Sequence, residues 1–166
     1  HCAMAWWGLT LANAGRPELA RTFVADAVKR RHLVSPREQQ YIDALEAYVR
    51  DRAAGNERYE RYAAALESIT QAFPEDLEAK ALLALQLWLN RRHGLKTRDV
   101  AEIDAIIAQV LESEPLHPCH HYRIHLWNRR EPAKALSNCD QSGDSLPGVA
   151  HMWHMPAHIY WETREY

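Results

Sequence analysis

The sequence predicts an all-α fold, a right-handed solenoid of antiparallel helix hairpins. Three observations carry that expectation. Apolar residues recur at helical spacing along the chain, and no stretch sustains the alternation of β-branched and polar residues that a strand requires. Gly15, Gly55, Gly94 and the prolines at 17, 36, 74 and 115 punctuate this periodicity into short helices, as a series of hairpins demands. A histidine pair four residues apart also occurs twice, His121/His125 in HHYRIHLW and His154/His158 in HMWHMPAHIYW. The offset of 33 residues between the pairs is close to one two-helix repeat of about 34 residues.

The first helix is expected over residues 2–14, breaking at Gly15, and the second from Pro17, a favourable first-turn residue, to about residue 31. Gly8, Gly15, Ala20 and Ala27 are the small residues expected where these two helices approach closely, with Trp7 at the large aromatic position of the tetratricopeptide repeat. Ser35-Pro36-Arg37-Glu38 is a capping box, so a third helix starts there and runs to about residue 52. Gly55-Asn56 makes the turn into a fourth helix over 57–72, closed by Phe73-Pro74. A fifth, over 75–92, carries Leu82, Leu85, Trp88 and Leu89 as its apolar stripe and ends at Gly94. The sixth, over 98–113, presents Val100, Ile103, Ile107, Val110 and Leu111 on one face.

From Leu116 onward the composition changes. Seven of the ten histidines, three of the six tryptophans and two of the three methionines lie there. Helices are expected over 118–128 and 131–141, then a loop SGDSLPG at 142–148, then a last helix from Val149 that Pro156 must kink. The domain reading is a single helical-repeat domain over 1–166, with hairpins at 1–34, 35–74, 75–116 and 117–146 and an unpaired helix at 147–166. The chain starts without Met, inside a helical pattern, and stops inside another, which reads as a fragment of a longer polypeptide. On that reading any targeting segment lies outside it, and the compartment is left open.

A formal net charge of −2 gives no basic surface for nucleic acid. No apolar run approaches the roughly 20 residues that span a bilayer. The three cysteines, Cys2, Cys119 and Cys139, form no CxxC pair. There is no HExxH helix, no Gly-x-Ser-x-Gly elbow and no phosphate-binding glycine loop, so the residues argue for no familiar catalytic centre.

The histidines are the candidate chemistry. Residues four apart on a helix share a face, so His121/His125 and His154/His158 each form a two-imidazole comb, and His151 joins the second at helical spacing. Imidazole nitrogen suits Zn and Cu, making His121, His125, His154, His158, His151, His117 and His120 candidate ligands. Cys119, Met152 and Met155 are soft donors that would favour copper if they faced the same point, and Asp140, Asp144 and Glu162 are carboxylates able to orient the rings. The alternatives are that the rings pack against aromatic neighbours and satisfy one another, or that they form a peptide-binding patch with Tyr122, Trp127, Trp153 and Tyr160 as partner contacts.

The segments CAMAWWGL (2–9), HYRIHLW (121–127) and AHMWHMPAHIY (150–160) resemble those of a group of bacterial tetratricopeptide-repeat proteins, with Ala157 where that pattern has Gly. The resemblance implies an α-solenoid, often linked on one polypeptide to a redoxin-like domain; no redoxin CxxC is present here. Two functions follow as expectations. The first is a non-catalytic interaction scaffold that takes a protein or peptide on its concave face. The second is a metal- or cofactor-binding module, with Zn or Cu on the clustered histidines, serving a linked redox domain.

Overall fold

In the computed structural model the described residues are 2–51, 56–95 and 98–164, and among them every regular element is helical. None of these helices is long and apolar enough to cross a membrane. The chain divides into two compact units, His1–Ala79 and Lys80–Tyr166.

The first unit contains α1 (Ala3–Ala12), α2 (Pro17–Lys29), α3 (Pro36–Arg50) and α4 (Glu57–Ala72). Each helix packs on the next, and α1 also packs on α3. Prolines open α2 and α3, where a missing N–H costs nothing. The Ser35 hydroxyl accepts from Glu38 N–H and the Glu38 carboxylate accepts from Ser35 N–H, so the expected capping box is present. Ala3, Ala27 and Ile42 form a core cluster against Met4, Trp6, Trp7, Val28 and Val34. Trp7 donates its indole N–H to the Tyr41 carbonyl at 3.1 Å. Tyr41 in turn donates to the buried carboxylate of Asp76 at 2.9 Å.

Several expectations need correction. Ala20 and Ala27 are buried, but a methyl group on Gly8 or Gly15 would meet no neighbouring atom within 4 Å, so neither glycine marks a close helix approach. Gly15 follows the end of α1, and Gly8 lies mid-helix with open space beside it. The turn assigned to Gly55 and the end of the third helix at Arg52 lie outside the described residues.

The helix α5 (Leu77–Arg92) spans the boundary between the units. Asp76 caps it by accepting from Ala79 N–H at 3.1 Å. Leu83 and Leu87 are its buried leucines, whereas Leu82, Leu85, Trp88 and Leu89, the expected stripe, are only partly buried. The helix is apolar nearly all round, so periodicity could not single out the right face.

The second unit continues with α6 (Val100–Ser113), α7 (His120–Trp127), α8 (Leu136–Ser145), α9 (Ala150–His154) and α10 (Pro156–Thr163). An Asp99/Glu102 capping box starts α6, and Ile103, Ile107 and Val110 form its buried stripe. A core cluster of Ile124, Trp127, Ala135, Cys139, Met155 and Ile159 joins α7, α8 and α10. The helix expected over 131–141 opens as a 3-10 turn, Pro132–Ala135, and α8 then runs through Ser145, so most of SGDSLPG is helix and not loop. Burial overrides turn composition here: Ser142 and Gly143 face the packed side of α8.

Candidate metal centre

Three local devices place the histidines. The first anchors the start of α7. His117 Nδ1 accepts from Cys119 N–H at 3.1 Å. His120 bridges two groups, with Nε2 at 2.8 Å from the Pro115 carbonyl and Nδ1 at 2.9 Å from Asn138 Nδ2 on α8. The carbonyl can only accept and the amide nitrogen can only donate, so His120 is the neutral Nε2–H tautomer. Burial also keeps its pKa below the ordinary value. Both ring nitrogens of His120 are therefore engaged, and His117 is tied to the start of α7 through Nδ1; neither ring belongs to the group of converging nitrogens.

The second device orients α7 against α6. Asp104 accepts from Arg123 Nε and Nη2 at 2.6 and 2.9 Å and from Trp127 Nε1 at 2.8 Å. Trp127 is 4% exposed, so this expected partner contact is a core residue whose indole N–H needed an acceptor, which the half-buried Asp104 supplies.

The third device is the break at Pro156. Proline has no N–H for the carbonyl four residues earlier, that of Met152. That carbonyl accepts instead from the buried Ser142 hydroxyl at 2.9 Å, which ties α9 to α8. Trp153, 56% exposed, lies over Gly143, where an added methyl would collide with the indole, and it donates to the Pro147 carbonyl at 3.0 Å. Met152 and Met155 are buried, Met155 within the core cluster, and Cys119 is fully buried.

These constraints gather five imidazoles into a closed circuit. Ring centroids are 4.8 Å apart for His121–His125 and 4.9 Å for His121–His151. The circuit closes through His151–His154 at 6.0 Å, His154–His158 at 4.9 Å and His125–His158 at 6.2 Å. One nitrogen from each of His121, His125 and His151 lies within 4.8 Å of the other two. Tetrahedral zinc at about 2.0–2.1 Å from three nitrogens sets them about 3.3 Å apart, so a fit needs the rings to close by about 1.5 Å. Of the three, His151 is the exposed ring.

The electrostatics keep lone pairs available. Burial pushes the His121 imidazole down to about 4, helped by His151 and His158. Burial pushes His125 to about 4 as well, helped by His121, His158, His151 and Arg92. His158 is lowered by burial, then by His154, His151 and Arg129. His121 and His125 are therefore neutral at pH 7. The Nε2 atom of His121 is buried with no hydrogen-bond partner. Trp88 stacks on His125 with centroids 5.1 Å apart, and Arg92 lies over the Trp88 ring at 5.1 Å.

Of the remaining candidates, Tyr122 lies 5.7 Å from the His121 ring, and Tyr160 donates to Asp140 at 3.2 Å while packing against the core. Among the described residues no carboxylate accepts from the five clustered imidazoles, so Asp140, Asp144 and Glu162 do not orient them. The sequence reading missed Asp104, Ser142 and Trp88. Nothing in their local sequence marks them, because each acts on a residue at least ten positions away. In comparisons with known proteins, the chain matches no family model, no curated protein and no solved structure.

Proposed function

We propose that this chain is a metal-binding helical module of tetratricopeptide type, holding a divalent ion of the zinc class on His121, His125 and His151. The observation that carries the reading is the convergence of one ring nitrogen from each of three histidines within 4.8 Å, one of the rings being His121, whose Nε2 is buried without a hydrogen-bond partner. An unpaired buried polar atom costs about 1–3 kcal/mol, and a metal ion removes that cost by taking the lone pair. Neutral imidazoles at pH 7 also meet the requirement that ligands be deprotonated before they bind. The donor set is all nitrogen, while both methionines and Cys119 are buried elsewhere, which favours Zn(II) or Cu(II) over Cu(I). Three protein ligands leave a fourth position for water or an exogenous group. The repeat architecture rests on the order of packing, in which α1 contacts both its hairpin partner α2 and the next hairpin's α3.

The test is metal analysis of tag-free protein after zinc loading and desalting. One zinc per chain is expected, falling to trace levels in His121→Ala/His151→Ala with the helical circular dichroism unchanged. A wild-type protein that retains no zinc, copper or nickel sinks the proposal. A second reading, a scaffold that binds a protein or peptide, is favoured by the exposed Trp153 and Trp161, the latter 76% accessible.

A further inference from the structure

Beside the histidine circuit is an open cleft of about 510 Å³ lined by Trp88, Arg92, His125, Asn128, Arg129 and Arg130. Its volume falls in the range of small-molecule sites, about 300–1,000 Å³. Three of the six lining side chains are guanidinium groups and none is acidic. Among the described residues no carboxylate pairs with Arg92, Arg129 or Arg130, although seven other arginines form such pairs. Arg130 is occupied in part, donating to the Leu126 carbonyl at 3.0 Å. Arg92 lies over the Trp88 ring at 5.1 Å, and that indole is itself stacked on His125.

Arg129 carries a further mark. Its φ of 61° is left-handed, one of two such non-glycine residues among those described. That conformation costs a branched or long side chain on the order of 1–3 kcal/mol and persists only where the surroundings impose it. It occurs where the chain leaves α7, two residues past Trp127.

We propose that this cleft binds a compact oxyanion, the phosphate or carboxylate group of a small molecule, held by Arg92 and Arg129 at the open coordination position of the metal on His125. The inference rests on the metal reading for its second half only. Arginine forks match the planar oxygen pairs of both anions, and the absence of acidic groups leaves their charge uncompensated. The metal site points the same way. Three neutral imidazoles leave a divalent ion with its full charge, so an anion is the natural fourth ligand.

Calorimetric titration of inorganic phosphate, and in a parallel arm malonate, into metal-free and zinc-loaded protein at low salt tests this. Binding is expected in both forms, about tenfold tighter with zinc, a difference of about 1.4 kcal/mol. The double variant Arg92→Gln/Arg129→Gly, whose glycine suits the left-handed position, should weaken binding at least about tenfold while keeping the zinc stoichiometry of the wild type. The tighter arm identifies the anion class. Zinc uptake without phosphate or malonate binding, or anion binding indifferent to the arginine substitutions, overturns the inference and leaves the metal reading intact. Arginine-dependent anion binding by a protein that takes up no metal leaves the oxyanion cleft standing and removes its coupling to a metal.

Discussion

Asp104 does not touch the histidine circuit, yet the geometry of the circuit depends on it. It accepts two hydrogen bonds from Arg123 and one from the Trp127 indole, linking α6 to the helix that carries His121 and His125. Asp104→Ala removes all three bonds at once. The ion pair is partly exposed, with 17% of the Asp104 side chain and 23% of the Arg123 side chain accessible, so solvent screens it and its loss costs about 2 kcal/mol. The Trp127 N–H is buried and has no other acceptor, which adds about 1–2 kcal/mol. The expected total is about 3–4 kcal/mol, against about 1–2 kcal/mol for Asp104→Asn, which keeps an oxygen for the indole. Urea unfolding followed by near-ultraviolet circular dichroism measures both. A double-mutant cycle with Arg123→Ala isolates the ion pair and should show coupling of about 1–2 kcal/mol. Zinc affinity should fall in Asp104→Ala although no ligand has changed. A loss of stability below about 1 kcal/mol, or coupling near zero, would refute the reasoning.

Two further outcomes follow from the same packing. Metal-free protein should lose stability as pH falls from 6.5 toward 4. His121 and His125 are neutral in the folded state until about pH 4, while the unfolded chain binds protons below the ordinary value of 6.5. Each shift caps the loss at about 3 kcal/mol, and their mutual repulsion is shared, so the pair should cost about 3 kcal/mol by pH 5. Urea unfolding at pH 7 and pH 5 checks this, and a His121→Gln/His125→Gln variant with an unaltered pH response would count against it. In Gly143→Ala, the added methyl meets the Trp153 indole. Overpacking of about 1–3 kcal/mol outweighs a helix-propensity gain of up to about 1 kcal/mol, for a net loss of about 1 kcal/mol. Trp153 fluorescence should shift as its bond to the Pro147 carbonyl breaks; a stabilised variant with unchanged emission would show that the indole does not rest on Gly143.

The all-helical class, the capping box at Ser35, the break at Pro156 and the i,i+4 pairing of His121 with His125 were readable because each depends on residues within one or two turns of one another. The faces of elements were less readable. On α5 the apolar residues surround the helix, so the stripe chosen by spacing was the less buried one. At residues 142–145, turn-forming composition gave way to the long-range bond from Ser142 to the Met152 carbonyl. Which histidines converge was the least readable feature. His117 and His120 are as close to the motif as His121, but His117 Nδ1 takes the local Cys119 N–H, and His120 is held between the Pro115 carbonyl and Asn138 of α8. Trp127 and Trp153 read alike in sequence and differ widely in exposure, because only Trp127 has a carboxylate, Asp104, within reach.

The contrast between His120 and His121 argues that the cluster is held for something other than stability. The two are adjacent on one helix, and burial lowers the pKa of both. At His120 the fold supplies a donor and an acceptor, and the ring becomes a structural bridge. At His121 the fold supplies other imidazoles and leaves Nε2 without a hydrogen-bond partner. Two more rings, His125 and His151, bring a nitrogen within 4.8 Å of His121, where an apolar side chain would pack without the penalty of an unpaired polar atom. An unpartnered ring nitrogen and arginines without carboxylates then describe one region that lacks an electron-pair acceptor at its nitrogens and negative charge at its rim. A bound cation relieves the first deficit and raises the second, which is why metal and oxyanion are expected to bind cooperatively and neither to reach full affinity alone.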